Sequence, residues 1–220
     1  MANNPLSARV RVIGGGLAGS EAAYYLARQG IPTELVDMKP KKFTPAHTEK
    51  NFGELVCSNS LKSNDVYANA CGLLKEEMRL LGSLVTEAAD ATAVPAGAAL
   101  AVDRESFSAY ITEKLKNCPN LSIICAEIEK LPSPAEDVYT IVATGPLTAD
   151  ALAADIAEKT GGGLYFYDAS APIVAADSID MSIAFWGSRY GEPGEGDYLN
   201  CPMNEDEYKA FYQGLLDGEK

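Results

Sequence analysis

The sequence has a single histidine, His47, no pair of cysteines at CxxC spacing, and no apolar run of membrane-spanning length. The missing run argues against a transmembrane helix, which needs about 20 mainly apolar residues. One histidine and scattered thiols argue against a structural zinc site, whose Cys and His ligands come in short paired spacings, so no metal is expected. Cysteine is sparse and odd in number: Cys57, Cys71, Cys118, Cys125 and Cys201 stand at irregular intervals and make no disulfide framework. The N-terminal segment lacks the apolar core of a secretory leader. These absences together predict a cytoplasmic protein. Positive charge is also short: 18 Lys and Arg face 31 Asp and Glu, a formal net charge of −13. That is the reverse of the footprint of a nucleic-acid binder.

What is present is an ordinary globular composition, 47% hydrophobic and 22% charged over 220 residues, enough for one sizeable core or one domain and part of another. One local exception to the acidity is the stretch MKPKKFTPAHTEK, with Lys39, Lys41, Lys42, His47 and Lys50. It reads either as a solvated, flexible basic loop or as an anion contact beside a site.

The chain opens on a complete pattern. Val10, Val12 and Ile13 predict a short buried strand, and Gly14, Gly16 and Gly19 form G-x-G-x-x-G. A helix follows, with Leu17, Ala22, Tyr25 and Leu26 expected on its apolar side and Gly30 as its stop. TELVD predicts a second strand ending in Asp37, eighteen residues after Gly19. Each part has a physical task. Gly14 allows a tight turn, Gly16 lets backbone N–H groups approach a pyrophosphate, and Gly19 lets helix and strand pack closely. The helix N-terminus offers partial positive charge to phosphates. Asp37 is placed to accept hydrogen bonds from a ribose. Strand, glycines, helix and terminal acid in this order predict a dinucleotide site.

Residues 38–65 show little periodicity, and loops of that length inside a compact domain are usually functional. Cys57 lies in it, where Leu55-Val56 gives way to Ser58-Asn59-Ser60. Core cysteines usually have apolar neighbours on both sides. NACGLLKEEMRLLGSLV returns to helical spacing through Ala70, Leu74, Met78, Leu81 and Val85. Asp103 is the expected N-cap of a helix with Phe107, Tyr110, Ile111 and Leu115 on one face. LSIICAEIEKL and DVYTIVATG read as strands, the first placing Cys125 in the core and the second stopping at Thr144-Gly145. A helix capped by Thr148 and ended by Gly161 follows, then alternating strand-like residues 164–186. Last comes a helix with Asn204 as N-cap and Glu207 three residues later.

Six blocks, GGGLAGSEAA, HTEKNFGELVCSNSLKS, NACGLLKEEMRLLGSL, VPAGAALAVDRESFS, FYDASAPIV and YLNCPMNEDEY, resemble the folate- and FAD-dependent tRNA uracil-5-methyltransferases, the TrmFO family. The likeness runs from about Arg9 to Tyr208. The related wobble-uridine modifiers of the MnmG (GidA) family typically carry His and Cys where this chain has Leu17 and Ser20. The resemblance implies an α/β fold: an incomplete Rossmann-like FAD-binding domain over 1–175 and the start of an inserted α/β substrate domain over 176–220. It implies methylation of uridine at carbon 5 in the T-loop of tRNA. The carbon donor would be 5,10-methylenetetrahydrofolate, with NAD(P)H reducing the flavin and reduced FAD as carrier. Gly14, Gly15, Gly16, Leu17, Ala18, Gly19, Asp37, Met38, Lys39 and Gly145 carry over as FAD contacts, and Cys57 as the catalytic thiol beside the flavin. A thiol between lysines and a turn suits nucleophilic chemistry, whereas Cys201 is expected to be structural.

The chain departs from the family in two respects. Lys39 stands where an arginine is common, which keeps charge but loses the bidentate fork. The family also extends further and brings a second functional cysteine, so this chain is expected to represent an N-terminal portion that does not methylate tRNA by itself. An NAD(P)H-flavin oxidoreductase without an RNA substrate, and a non-catalytic FAD-binding fragment, are the competing readings.

Overall fold

A computed structural model describes residues 9–133, 138–162, 174–187 and 196–218. In chain order the elements begin with β1 (Arg9–Ile13), α1 (Leu17–Arg28), β2 (Thr33–Asp37) and β3 (Ser60–Ser63). There follow α2 (Ala70–Leu80), α3 (Leu84–Ala91), β4 (Ala93–Val94), β5 (Ala99–Val102) and α4 (Arg104–Lys116). Then come β6 (Leu121–Cys125), β7 (Val138–Val142), a 3₁₀ turn at Gly145–Leu147 and α5 (Asp150–Thr160). After a short turn at Ala176–Ser178, β8 (Phe185–Gly187), β9 (Tyr198–Asn200) and α6 (Glu205–Asp217) complete the set.

The chain divides into two units, Met1–Val94 with Ala98–Ala171, and Pro95–Gly97 with Pro172–Lys220. The first is built on a sheet of order β6-β2-β1-β7 whose strands are all parallel. Parallel neighbours need crossovers, and here α1 carries β1 to β2, as in a Rossmann-type α/β fold. Val10 pairs with Thr33 on one side and with Tyr139 on the other. The two inner strands are buried: Val12 and Leu35 are sealed from solvent. The two outer strands leave Ile123, Ile124, Ile141 and Val142 partly exposed. An antiparallel ladder of order β3-β5-β4 joins the CSNSL segment to the segment ahead of α4.

Phe107, Ile111 and Leu115 of α4 pack with Leu84 and Ala88 of α3, Ala23 of α1 and the inner strands in one cluster. Asp103 caps α4 as expected, its side chain accepting from the Ser106 N–H. The α1 helix sets two of its expected apolar residues, Leu17 and Leu26, against the core, but small residues form its fully buried side. Ser20, Ala23 and Ala27 are buried, while Tyr25 is 53% exposed. Small residues win that face because the helix lies close against the sheet.

The helix expected across 70–85 is two helices. Gly82 adopts φ +73, which ends α2, and the Ser83 side chain accepts from Thr86 N–H to start α3. The carboxylate of Glu21 takes the Leu84 and Val85 N–H groups at 3.1 and 2.9 Å. Leu74 and Leu81 are exposed, and Gly72 and Lys75 form the buried side of α2. Lys75 reaches the carbonyls of Ser63 and Cys71 at 2.7 and 2.9 Å. A third correction concerns Thr148. It does not cap α5; it bonds Thr144 Oγ1 at 2.6 Å and the Gly145 carbonyl at 2.8 Å, closing the 3₁₀ turn. Cys125 is half-buried at the end of an outer strand rather than in the core, its thiol donating to the Met38 carbonyl at 3.6 Å.

In the second unit β8 and β9 form an antiparallel pair, and Asn204 and Glu207 make a reciprocal capping box at the start of α6. Cys201, expected to be structural, is exposed just after β9. The FYDASAPIV block except Val174, and the first part of the strand-like stretch, residues 164–173, lie outside the described residues; the rest of that stretch holds the turn at Ala176–Ser178 and β8.

Replacing the sealed Phe107 with alanine removes the centre of the α3–α4 contact. The expected cost is about 3–5 kcal/mol in urea denaturation. A loss below about 1 kcal/mol would mean that the core does not depend on α4.

Candidate functional site

The site grows from the end of β1. Gly14 takes φ +102, and a Cβ there would stand 2.6 Å from the Ala143 carbonyl oxygen. Gly14 N–H donates to Val36 O, and Ala143 N–H to Ile13 O, both at 2.8 Å, so the loop is fixed to both neighbouring strands. A Cβ on Gly19 would run into the Gly14 carbonyl, which is why the helix begins so close to the strand. A Cβ on Gly15 would meet the Phe52 ring. Gly16 differs from these: a side chain there would enter open space, with nothing within 4 Å.

No side chain caps α1, whose N-cap is Gly16, and Ser20 N–H to Gly16 O at 2.9 Å is the first bond of the helix. Its leading N–H groups therefore lack intrahelical acceptors, the condition for binding an anion there. Asp37, at the end of β2, accepts from Gly15 N–H with Oδ2 at 2.6 Å and from Lys39 N–H with Oδ1 at 2.8 Å. Each oxygen keeps a further lone pair.

A cleft of about 320 Å³ opens above these groups. Gly14, Gly15, Gly16, Leu17, Ala18, Asp37, Met38, Lys39 and Gly145 all line it. Gly19 lies beneath the loop rather than on the wall. Cys57 is exposed, and its neighbour Val56 lines the cleft. Ser58 and Asn59 lead from Cys57 into β3, which begins at Ser60. Asn59 locks it to β5, its carbonyl accepting from Val102 N–H and its Nδ2 donating to Val102 O, both at 3.0 Å.

The lysine-rich loop is neither free nor open to phosphates through most of its charges. Lys39 and Glu54 form a buried ion pair at 3.0 Å, their side chains 6% and 8% exposed. Lys39 Nζ also donates to Asn51 O at 2.6 Å. Lys42 pairs with Glu127 at 2.6 Å, and Lys41 donates to Cys125 O at 3.2 Å. The Lys39 ammonium is thus committed to holding the loop. Burial works against the charge of Glu54. The Thr48 and Glu49 N–H groups and Lys39 outweigh it and hold the carboxyl below its usual range. Burial, then the Lys39 charge, pushes His47 below the usual histidine value despite Glu54 and Asp37.

Sequence reasoning missed Phe52, Glu54 and the wall at Thr44, Ala143 and Leu147. Phe52 had a signal: an aromatic in a polar loop that turns out buried, its N–H donating to Thr112 Oγ1 at 2.8 Å.

The family model described as glucose inhibited division protein A matches residues 9–220. A protein of Anaeromyxobacter dehalogenans named methylenetetrahydrofolate–tRNA-(uracil-5-)-methyltransferase TrmFO is 59% identical over 96% of this chain and 46% of its own length. Proteins of the same name from Nitratidesulfovibrio vulgaris and Heliobacterium modesticaldum are 58% and 57% identical, over 95% and 96% of this chain and 44% and 47% of their own lengths. The chain thus spans about half the length of the curated relatives it matches. A solved structure of Aquifex aeolicus GidA superposes with a TM-score of 0.50 at 21% identity, over 63% of this chain and 25% of that one.

Two substitutions check the loop's electrostatics. Lys39→Met strands the buried Glu54 carboxylate and is expected to cost about 3–5 kcal/mol in urea denaturation. His47 binds its proton less readily folded than unfolded. Its contribution is present above about 6.5 and lost as pH falls through the lowered folded value. Urea midpoints should therefore drop between pH 7 and 5, and His47→Gln should flatten that slope. An equal slope in both proteins would place the titration elsewhere.

Proposed function

The chain belongs to the glucose inhibited division protein A family, and we propose that it is the FAD-binding part of a folate-dependent tRNA uracil-5-methyltransferase. The observation that carries the cofactor is the open approach to Gly16 above an uncapped helix start, with Asp37 at the end of the neighbouring strand. These residues fit a dinucleotide. The N–H groups of Gly16, Leu17 and Ala18 would take the pyrophosphate, and the spare lone pairs of Asp37 the ribose hydroxyls. Met38, Lys39 and Gly145 would border the cofactor, Lys39 through its backbone and stem, with Gly19 keeping the helix close. Bound FAD would supply a reducible ring able to carry the one-carbon unit.

The substrate reading rests on 57–59% identity to proteins whose names state the reaction. On it, 5,10-methylenetetrahydrofolate is the carbon donor, NAD(P)H the reductant and a T-loop uridine of tRNA the acceptor. Cys57 supplies a solvent-reachable thiol next to the cleft wall at Val56. Addition of its thiolate to carbon 6 of uracil raises electron density at carbon 5, where the new bond forms. Residues 1–175 are assigned to the FAD domain and 176–220 to the start of the substrate domain. The charge of −13 leaves phosphate contacts to be provided outside these residues. Action in the cytoplasm follows from a tRNA substrate.

Gly16→Val is the direct test, because its side chain meets no protein atom. The variant should melt with the wild type yet lose flavin absorbance after reconstitution with FAD. Retained flavin at full stoichiometry would remove the loop from the site. Supplied with FAD, NADPH, methylenetetrahydrofolate and unmodified tRNA, the chain alone should form no 5-methyluridine. NADPH oxidation indifferent to tRNA and folate would favour a plain oxidoreductase.

Thiol labelling followed by mass spectrometry checks the place of Cys57. Cys57 and Cys201 should react quickly and the buried Cys118 slowly, its thiol also pushed up by burial. Adding FAD should slow Cys57 and leave Cys201 unchanged. Equal rates with and without FAD would separate Cys57 from the flavin.

A further inference from the structure

His47, the chain's single histidine, lines the cleft together with Thr44, Lys39 and Glu54. Its Nδ1 meets the Thr44 hydroxyl at 2.6 Å, and its backbone N–H donates to the Thr44 carbonyl at 3.2 Å. Turn and ring are thereby both fixed to Thr44. The other ring nitrogen, Nε2, has no hydrogen-bond partner among the described residues. Its charged neighbours on this wall are already committed. Lys39 Nζ donates to Asn51 O and to Glu54 Oε2, and Glu54 Oε1 takes the Thr48 and Glu49 N–H groups.

The charges that face the ring decide what it can bind. They are the ammonium of Lys39 and the carboxylates of Glu54 and Asp37, one positive group against two negative. An anion at Nε2 would meet that negative balance, and a phosphate has a better place at the bare N–H groups that open α1. Burial, then Lys39, disfavours the imidazolium, so near pH 7 the ring meets a ligand as neutral imidazole. A neutral ring has one donor and one acceptor nitrogen. The Thr44 hydroxyl can give or take the bond at Nδ1, which leaves Nε2 able to act as acceptor or as donor. An alcohol hydroxyl answers both cases, because it also donates and accepts.

We propose that His47 is a ligand-contact residue of the cleft, whose Nε2 hydrogen-bonds an uncharged hydroxyl on the sugar or sugar-alcohol part of a bound dinucleotide. That a dinucleotide occupies the cleft is taken from the functional reading; the contact does not depend on which dinucleotide it is. Binding then requires the neutral ring, so proton and ligand compete. A bound dinucleotide moves the titration of His47 to still lower pH, and acid weakens the dinucleotide's binding.

With one histidine in the sequence, isotope-labelled histidine in the full, untagged chain gives NMR signals from this ring alone. The ring is titrated free, with saturating FAD and with saturating NAD⁺. Affinities for both are measured by calorimetry at pH 7 and 5, where neither ligand titrates, in the wild type, His47→Leu and His47→Gln. Bound ligand should shift the Nε2 resonance and move its titration to lower pH, and wild-type affinity should fall between pH 7 and 5. His47→Leu should bind about three- to tenfold more weakly at pH 7, the worth of one hydrogen bond. His47→Gln, whose amide can still reach a hydroxyl, should bind close to the wild type at pH 7 and lose the fall in acid. An Nε2 resonance that ignores the ligand overturns the proposal, as does unchanged affinity in His47→Leu. A titration that moves to higher pH shows contact with an anion and overturns it too. If His47→Leu does not fold, His47→Gln decides: a fall in acid that persists there belongs to another group and removes His47 from the contact. FAD bound with an unmoved ring sinks this contact and leaves the FAD reading standing. Binding of NAD⁺ without FAD sinks the FAD reading, and the ring is then judged on NAD⁺; binding of neither sinks both.

Discussion

One carboxylate ties the site together. Asp37 takes the Gly15 N–H with one oxygen and the Lys39 N–H with the other, at 2.6 and 2.8 Å. Gly15 belongs to the turn after β1, and Lys39 opens the long loop after β2. Both oxygens meet backbone donors, so the bonds fix main chain rather than mobile side-chain tips. Hydrogen bonds to a charged acceptor are worth about 1.5–3 kcal/mol each, more than neutral ones. The acid that would recognise a ribose is therefore held in its rotamer before any ligand arrives, which is what preorganisation requires.

The second constraint hangs from the first. Beyond Lys39 the chain runs to β3 without regular structure, and such a loop must satisfy its own backbone. Glu54 does much of this by accepting from Thr48 and Glu49 N–H groups, while Lys39 neutralises it and bonds Asn51. A buried ion pair is a poor source of net stability, but breaking one side of it is costly. Its role is to specify one arrangement of a loop that has no ladder of its own. Phe52, closed in by Gly15 on one side and bonded to Thr112 on the other, then sets the distance between the glycine turn and α4.

The parts legible in the sequence are those whose physics is local. The glycine spacing, the strand before it and the acid after it are encoded within thirty or so residues, and the caps at Asp103 and Asn204 within three or four. Misreadings arise where a distant partner decides. Leu74 and Leu81 looked like a core stripe, yet Gly82 and Ser83 break the helix there, and Glu21, far away in sequence, fixes the new start. A Gly-Ser pair ahead of Leu84 was the available signal. The lysines at 41 and 42 looked like part of a free basic patch because their partners, Cys125 O and Glu127, come alongside only once β2 and β6 pair, while Lys39 is taken by Glu54 only when the loop after β2 folds back on itself.

Charge placement shapes the glycine-loop end of the cleft. The cations nearby are spent on loop carbonyls and carboxylates, so an anion there would depend on backbone N–H groups and the field of α1. A backbone cradle accepts any phosphate of the right size, whereas a guanidinium edge selects a paired-oxygen group in one orientation. An anion held at this turn would therefore be selected by its size and position against the main chain, with the charged side chains around it left to hold the loop.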